Sequence, residues 1–388
     1  MNFRVYVLAV SAFVVGMVEL IIGGILPLIA EDLNVSVAAA GQLITVFALI
    51  FAISGPVLLS LTSKIERKRL YMSSLAVFFF ANLFAFVSPN FETLIVARVV
   101  TAMSAALIIV LSLTIAPKIV EPAYRSRSIG IITMGVSSAL VLGVPIGVLV
   151  GDMLGWRMLF LLIAMLTLVA GVIIFYFLEP IKPDHVTSLR QQIASLKSKK
   201  IFSAHIVTLL ILAGHYTLYG YFAPFLQTTM GLEPFWVSVA FFVFGISAVS
   251  GGGVGGWMTD RFGPQRTVVS FIILFAIVLF LLPLSTYSSV LFPLALVIWG
   301  MLSWSIAPAQ QSYLIQTAPE TSDIQQSVNT SALQFGIATG SGFGGLVVQQ
   351  SSVETTAWAG SVLVILALGF ALYSFRKPAG KAAPLGQS

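Results

Sequence analysis

An acid inside an apolar stretch is the feature of this sequence most able to do chemistry. Glu19 lies in the segment GMVELIIGG, about midway along the apolar run 5–29. A charged carboxylate there is costly, so we expect it to face the protein interior, to pair with a cation or to take up a proton. The residues at helical spacing around it are small, as is typical of a packed or cavity-facing side: Ala12, Gly16, Gly23 and Pro27.

Arg98 is the natural partner of Glu19, because it is the only cation deep in the apolar segments of the first half. Three interpretations stay open. In the first, Glu19 binds and releases a proton and Arg98 sets how readily it does so. In the second, the two residues form a fixed ion pair that locks the packing. In the third, Glu19 contacts a bound substrate directly.

His215 lies near the middle of the apolar run 203–227, at a depth similar to that of Glu19. An imidazole can donate and accept hydrogen bonds and can titrate near neutral pH, so His215 is a candidate for both proton coupling and substrate binding. Tyr216 is its neighbour, and helical spacing predicts Tyr219 and Phe222 on the same face as His215. The alternative is a core histidine that is hydrogen-bonded to a backbone carbonyl.

Two late apolar runs carry an unusual set of uncharged polar and aromatic side chains. Amides that read donor and acceptor edges, together with rings for stacking, suit a neutral planar heterocycle, although a sugar would also be served. The alternative is that these groups link helix to helix. No clamp of several inward Arg or Lys residues is present, which disfavours phosphorylated or strongly acidic substrates. The candidate substrate-binding residues here are Trp299, Ser303, Trp304, Gln310, Asn329 and Gln334.

The composition identifies the class of protein that must position these residues. The chain is 58% hydrophobic and 9% charged, whereas soluble proteins are about 25% charged. It is therefore a polytopic membrane protein. The absence of cysteine excludes disulfides and thiolate metal sites, and no metalloprotease, phosphate-loop or hydrolase motif is present. We expect no enzyme activity, no metal and no cofactor, and the net charge of +6 does not predict nucleic-acid binding.

Twelve apolar stretches are long enough to cross a bilayer, each near the roughly 20 residues that a helix needs. If the N-terminus lies inside, 18 of the 20 Lys and Arg residues fall on the inner side, and the exceptions are Arg98 and Arg157. This asymmetry predicts that both termini are cytoplasmic. The predicted spans are 5–29, 38–61, 70–88, 93–116, 128–151, 156–178, 203–227, 234–257, 267–286, 289–316, 324–348 and 354–375.

The longest polar segment falls midway and divides the chain into two bundles of six helices. We predict an N-terminal bundle at 1–178, a cytoplasmic linker at 179–202, a C-terminal bundle at 203–376 and a cytoplasmic tail at 377–388. His185 lies in the linker, and His205 is expected near the cytoplasmic end of its span. An internal repeat supports this division, because an offset of 197 residues places 61–69 on 258–266 and Glu19 on Tyr216.

The segment GWMTDRFG at 256–263 resembles the G-x-L-a-D-R-x-G signature of the major facilitator superfamily. The first-half copy departs from it, with Ser63 in place of the acid and Glu66 in place of the glycine. Arg98 resembles the arginine of the fourth helix, and the run Gly143-Val144-Pro145-Ile146-Gly147 resembles the helix 5 antiporter motif. The resemblance implies an all-α membrane protein of 12 helices in two pseudo-symmetric bundles. It also implies latch or gating roles for Arg67, Asp260, Arg261, Gly263, Gly143, Pro145 and Gly147.

Three further runs resemble the purine base and nucleoside efflux pumps of bacteria, in the 12-helix drug:proton antiporter branch: VELIIGGILPLIA, GHYTLYGYFAPFLQ and LSWSIAPAQQSYLIQTAPE. The resemblance implies proton-coupled export of a small neutral solute by alternating access, by a monomer in the bacterial inner membrane, with the proton gradient as the energy source. Export of sugars or of drugs is the first alternative. Import by the same gradient, or a membrane enzyme or receptor without transport, are the others.

Glycines recur at equivalent places in the two halves, at 135, 143, 147 and 151 and at 336, 340, 342, 344 and 345. Missing side chains let two backbones approach closely. Their placement predicts a close interface between the halves that opens and shuts.

Overall fold

The computed structural model describes residues 3–183 and 189–376, and within them all regular secondary structure is helical. Twelve helices or helix pairs are long and apolar enough to span a membrane, which confirms the predicted all-α membrane fold. The helices are α1 (Phe3–Asp32), α2 (Val37–Leu61), α3 (Arg67–Phe86), α4 (Phe91–Ile115), α5 (Arg125–Ser138), α6 (Val144–Leu154), α7 (Trp156–Phe177), α8 (Leu189–Ser195), α9 (Lys199–Tyr219), α10 (Phe222–Met230), α11 (Pro234–Phe262), α12 (Pro264–Ser285), α13 (Leu291–Thr317), α14 (Ser322–Gln350) and α15 (Thr355–Arg376). The predicted tail at 377–388 and His185 lie outside the described residues.

Local sequence signals account for several helix starts. The Ser36 side chain accepts a hydrogen bond from the Ala39 amide at 3.1 Å and caps α2, and Asn90 does the same for α4 through the Thr93 amide at 3.0 Å. Gly263 separates α11 from α12 with a φ of 83°, a conformation that favours glycine. The turn after α11 therefore explains why a glycine ends the signature motif.

Two of the predicted spans are interrupted rather than continuous. The span 128–151 contains a π-helical segment, Ala139–Gly143, between α5 and α6, and Pro145 follows directly. The span 203–227 breaks between α9 and α10 at Gly220–Tyr221, four residues before Pro224. Because proline has no N–H to bond the carbonyl four residues earlier, both interruptions lie where a helical hydrogen bond cannot form.

The helices form two groups of six spans, and their loops define two faces of the molecule. The face with the loops around residues 62–66, 119–124 and 318–321 holds most of the Lys and Arg residues; we name it the basic face, and the other the opposite face. In the first half α1 packs on α5, α6 and α7; in the second half α9 packs on α14 and α15. The halves meet along α2 and α14, and along α11 and the segment from Ala139 to α6.

On the opposite face, Asp32 at the end of α1 gathers the ends of other helices. Its carboxylate forms a salt bridge with Arg157 and accepts a hydrogen bond from the Trp156 indole at 3.1 Å. Arg157 also donates to the Ser88 carbonyl at 3.1 Å through Nη2. Arg157 thus links three inter-helix connections of the first half: those that follow α1, α3 and α6.

Most of the repeated glycines pack helices within each half, whereas Gly342 and Gly345 lie against α2 of the other half, so the predicted interface between the halves is formed by only a few of them. A Cβ at Gly135 would lie 2.3 Å from the Ala9 carbonyl oxygen, and Gly143 and Gly147 face Met17 and Ile21 of α1. In the second half, a Cβ at Gly340 would lie 2.2 Å from the Ala213 carbonyl oxygen of α9. The spacing of the glycines showed which helices have a face without side chains, but only the structure shows which neighbouring helix packs against that face.

Candidate coupling and substrate site between the halves

Glu19 lies at the boundary between the halves. It belongs to α1, is partly exposed, and its Oε1 accepts a hydrogen bond of 2.8 Å from Gln334 Nε2 on α14. Among the described residues it is the only carboxyl group in the interior of a span rather than near a helix end. Glu19 therefore faces another helix of the protein, and its hydrogen-bond partner comes from the other half.

Arg98 lies beside Glu19 but does not form a salt bridge with it. The guanidinium is fully buried; Nη1 donates to the Val18 carbonyl at 3.1 Å, and Cζ lies 4.1 Å from the Phe47 ring centroid. The described salt bridges, defined by an N–O distance of 4.0 Å or less, do not include a Glu19–Arg98 pair. The alternative of a fixed ion pair is wrong for this conformation, because a backbone carbonyl and an aromatic ring hold the cation.

Tyr216 joins the acid to an aromatic cluster in the second half. It interacts electrostatically with Glu19, and its ring centroid lies 5.3 Å from that of His215. His215 stacks against Tyr219 at 5.1 Å and Phe244 at 5.8 Å. The sequence offset that aligned Glu19 with Tyr216 therefore paired two residues that are close enough to interact electrostatically.

The aromatic cluster is built around Trp299, which is fully buried on α13. Its ring lies 4.7 Å from Phe244, 5.0 Å from Phe222 and 5.4 Å from His215, measured between centroids. Phe222 is the first residue of α10 rather than part of a helix continuous with His215, yet it reaches the same cluster. The structure thus brings together four of the predicted binding residues: His215, Tyr219, Phe222 and Trp299.

Three polar atoms of this cluster are buried and have no hydrogen-bond partner among the described residues: His215 Nδ1, Tyr219 Oη and Trp299 Nε1. A buried polar group without a partner costs about 1–3 kcal/mol. Three such groups in one cluster indicate a place where a polar ligand or water completes the hydrogen bonding.

The other polar candidates are links between or within helices. Gln310 Nε2 donates to the Ala204 carbonyl at 2.6 Å, and Asn329 Oδ1 accepts from Thr208 at 2.7 Å, so both tie α9 to its neighbours. Ser303 donates to the carbonyl of Gly300 in its own helix. Trp304 is partly buried against the apolar core. These contacts match the alternative reading of helix-to-helix links.

The halves are closed together toward the opposite face. Thr45 of α2 and Ser341 of α14 share a hydrogen bond of 2.9 Å, and Ser238 of α11 donates to the Pro145 carbonyl at 2.9 Å. Pro145, predicted as a gating residue, thus lies on the contact between the halves. Toward the basic face, α2 and α14 border a cavity of about 310 Å³ that α8 and α9 also line.

The second-half copy of the signature loop is not engaged in ion pairs. Asp260 and Arg261 are exposed, and neither belongs to a salt bridge among the residues that the structure describes. Arg261 instead lies 5.4 Å from the Trp257 ring centroid. The latch role that the family resemblance implies for these residues stays a prediction.

The first-half copy uses Glu66, which stands at the position that Gly263 takes in the second copy. Its carboxylate accepts backbone N–H bonds from Lys68 at 2.7 Å, Arg69 at 3.0 Å and Ile181 at 2.7 Å, while the amide of the buried Arg67 donates to the Ile181 carbonyl. The replacement of glycine by an acid therefore caps α3 and attaches the segment after α7 to it. The replacement of glycine by Glu66 is visible in the sequence, but its partner Ile181 could not be predicted because it lies 115 residues away in the chain.

The hydrogen bonds also set the ionisation of Glu66. Burial raises the pKa of this carboxyl, but the three backbone amides and the nearby Arg69 outweigh that effect and hold the pKa below its ordinary value. A lowered folded-state pKa stabilises the protein above the pKa of the unfolded chain, about 4.3. That stabilisation is lost as the pH falls through the folded-state value.

We expect Glu66→Ala to lower stability by about 1 kcal/mol at neutral pH, the usual cost of a lost helix cap. The difference from the unmodified protein should shrink as the pH falls through the lowered pKa of Glu66, where the wild-type carboxylate becomes protonated. Thermal denaturation in one detergent across a pH series measures this. The control is Glu320→Ala, an exposed acid on the same face; a loss equal to that of Glu66→Ala would contradict the role of the cap.

Within the described ranges, no group of three or more His, Asp or Glu residues could hold a metal ion.

Comparison with known proteins identifies the class. Residues 8–330 match the sequence profile of the Major Facilitator Superfamily, and the chain belongs to that family. It is 37% identical over 374 residues to the uncharacterized MFS-type transporter YbcL of Bacillus subtilis (strain 168), with 96% of each chain covered. It is 31% identical over 367 residues to YtbD of the same organism, described in the same words, with 92% of this chain and 91% of YtbD covered. The protein is thus a membrane transporter rather than an enzyme.

Solved structures show the same fold at low sequence identity. A bacterial homologue of the human lysosomal transporter Spinster, in an inward-facing and unoccupied conformation, has a TM-score of 0.77 at 18% identity and covers 97% of this chain and 98% of its own. The human organic anion transporter MFSD10 has a TM-score of 0.70 at 15% identity, with 96% and 100% covered. At these identities the likeness concerns the fold alone.

Proposed function

We propose that the protein is a proton-coupled exporter of small neutral solutes in the bacterial inner membrane, with its basic face and both termini in the cytoplasm. One observation carries the proposal. Glu19 is a carboxyl group inside a span at the boundary between the halves, and it accepts a hydrogen bond from Gln334 of the other half. A titratable group at such a boundary can make the relative position of the halves depend on proton binding.

The route from the proton site to the cytoplasm follows from orientation. The asymmetry of Lys and Arg predicts that the basic face is cytoplasmic. The halves are closed toward the opposite face, by the Thr45–Ser341 and Ser238–Pro145 hydrogen bonds. With this orientation Glu19, which is partly exposed, exchanges its proton and the site takes up substrate from the cytoplasmic side.

Purine bases and nucleosides are the first substrate class. The aromatic rings around Trp299 offer stacking surfaces, and the three buried polar atoms without partners offer a phenol, an indole N–H and an imidazole nitrogen to the edge of a neutral heterocycle. The site offers little positive charge to a ligand, because the Arg98 guanidinium is already held by the Val18 carbonyl and the Phe47 ring. This composition disfavours phosphorylated solutes. Sugars, which also stack on rings, are the alternative cargo.

A panel of nucleobases, nucleosides, sugars and cationic dyes tests the substrate class by thermal denaturation of the purified protein, since a ligand of the folded state raises its melting temperature. We expect purines to give the largest rise. Trp299→Phe keeps a ring but removes the indole donor, and should weaken the affinity for a purine about fivefold. Trp236→Phe, at an exposed tryptophan, is the matched control. A rise with sugars alone would replace the purine assignment by sugar export.

A further inference from the structure

Gln334 was a candidate for substrate binding, yet its side chain is committed to the acid. Its Nε2 lies 2.8 Å from Glu19 Oε1, and the residue is 95% buried, being 5% exposed. Its Oε1 is buried and has no hydrogen-bond partner in the described part of the chain. The amide nitrogen thus bonds to Glu19, while the amide oxygen makes no hydrogen bond within the described residues.

The amide of Gln334 carries both a donor and an acceptor, whereas the Arg98 guanidinium carries donors alone. When Glu19 is ionised, Nε2–H donates to the carboxylate, as in this structure. When Glu19 is protonated, a half-turn of the amide places Oε1 where it accepts the carboxyl O–H. The charged and titratable groups that face Glu19 are Arg98 from α4 and Tyr216 from α9; Arg98 can only donate, so it serves the anion alone.

We propose that Gln334 is the positioning residue of the proton site: it links Glu19 to the second half in the state closed at the opposite face, and its amide can do so in either protonation state. This inference rests on the proposed proton coupling. The link must break when the halves separate at the level of Glu19. Arg98 Nε and Nη2, which are buried and have no partner among the described residues, then become the alternative partners of the carboxylate.

The link has different strengths in the two protonation states. A hydrogen bond to a charged group is roughly twice as strong as one between neutral groups. Loss of Gln334 should therefore shift the balance between the conformation closed at the opposite face and the conformation open there. This shift should be largest when Glu19 is ionised. The opposite-face contacts at Thr45 and Ser341 remain and limit the shift.

The test measures the distance between the halves rather than transport. The chain has no cysteine, so spin labels can be attached at two cysteines introduced at exposed positions in loops or in the first turn of a helix. Lys64 and Gln265 give a pair on the basic face, and Glu92 and Tyr287 give a pair on the opposite face. Double electron–electron resonance at about pH 8.5 and about pH 5, one above and one below neutrality, reports the populations of the two states.

A cycle of variants isolates the Glu19–Gln334 coupling: Gln334→Met, Glu19→Gln and the two together. At the higher pH we expect Gln334→Met to shift the populations roughly tenfold toward the state open at the opposite face. In the Glu19→Gln background the shift should fall to about threefold or less, since only a neutral bond is lost. Asn329→Leu removes an amide of the same helix that bonds within its own half, and should produce no shift that depends on Glu19.

Equal shifts by Gln334→Met in both backgrounds would overturn the inference, as would no shift in either. If Gln334→Met does not fold, Gln334→Asn, whose shorter amide cannot reach Glu19, takes its place in the cycle. These outcomes are separate from the proposed function. Proton-coupled transport can persist while the cycle shows no coupling, and the cycle can show coupling in a protein that moves no proton.

Discussion

Proteoliposomes that contain the Glu19→Gln variant should lose solute movement driven by a pH gradient and fall to the level of protein-free liposomes. Glutamine has the shape of the acid and can still bond to Gln334 Nε2 or Oε1, so the packing of α1 against α14 is kept. It cannot bind and release a proton. Exchange of solute across the membrane without a gradient should continue, because alternating access does not itself require a charge at this position.

The measurement compares gradient-driven uptake, gradient-free exchange and ligand-induced thermal shift in the same preparation, with the solute found by the ligand panel. Glu31→Gln, at an exposed acid near the end of the same helix, is the matched control and should behave as the unmodified protein. Loss of the thermal shift would instead assign Glu19 to direct substrate contact. Full gradient-driven transport by Glu19→Gln would end the proton-coupling proposal.

The second large effect concerns stability. We expect Gly251→Ala to lower the free energy of unfolding by about 3 kcal/mol, whereas the same change at the next residue, Gly252→Ala, should be neutral or raise it by up to about 1 kcal/mol. A Cβ at Gly251 would lie 1.9 Å from the Met301 carbonyl oxygen and 2.6 Å from its carbon. Those are backbone atoms of α13, so the two helices must move apart. A Cβ at Gly252 meets no heavy atom within 4 Å.

Thermal denaturation of the two purified variants in one detergent makes the comparison, with size-exclusion chromatography to check that each remains monodisperse. Both variants change glycine to alanine in α11, so helix propensity acts equally on them and the difference reports the α11–α13 contact. Equal melting temperatures would show that the helices separate there without cost.

The number and extent of the spans could be predicted from the sequence, because crossing a bilayer imposes a length and an apolar composition on each helix by itself. All twelve predicted spans correspond to helices or helix pairs of the structure. The interruption at Gly220–Tyr221 was missed, although Pro224 was a visible signal for it. Apolar composition continues across such a break, so hydropathy does not register it.

The candidate site was only partly predictable. A charged side chain in an apolar segment is energetically costly, and this alone identifies Glu19 and Arg98 from the sequence. The internal repeat aligns Tyr216 with Glu19. The amides look alike in sequence, but the structure gives them different partners: Gln310 and Asn329 hold α9 in place, whereas Gln334 crosses to the first half. Partners such as Phe47 for Arg98 and Ile181 for Glu66 are far away in the chain, and no local pattern announces them.

The sequence by itself determined that this chain is a membrane protein of twelve spans with an acid placed inside the first, because transfer into lipid penalises each residue according to its own chemistry. Only the tertiary structure decided which surfaces meet: that most of the repeated glycines join helices within a half, and that Glu19 bonds to Gln334 rather than to Arg98. The reason is physical. Insertion energy is a sum over single residues, whereas contact depends on the shapes of two helices at once.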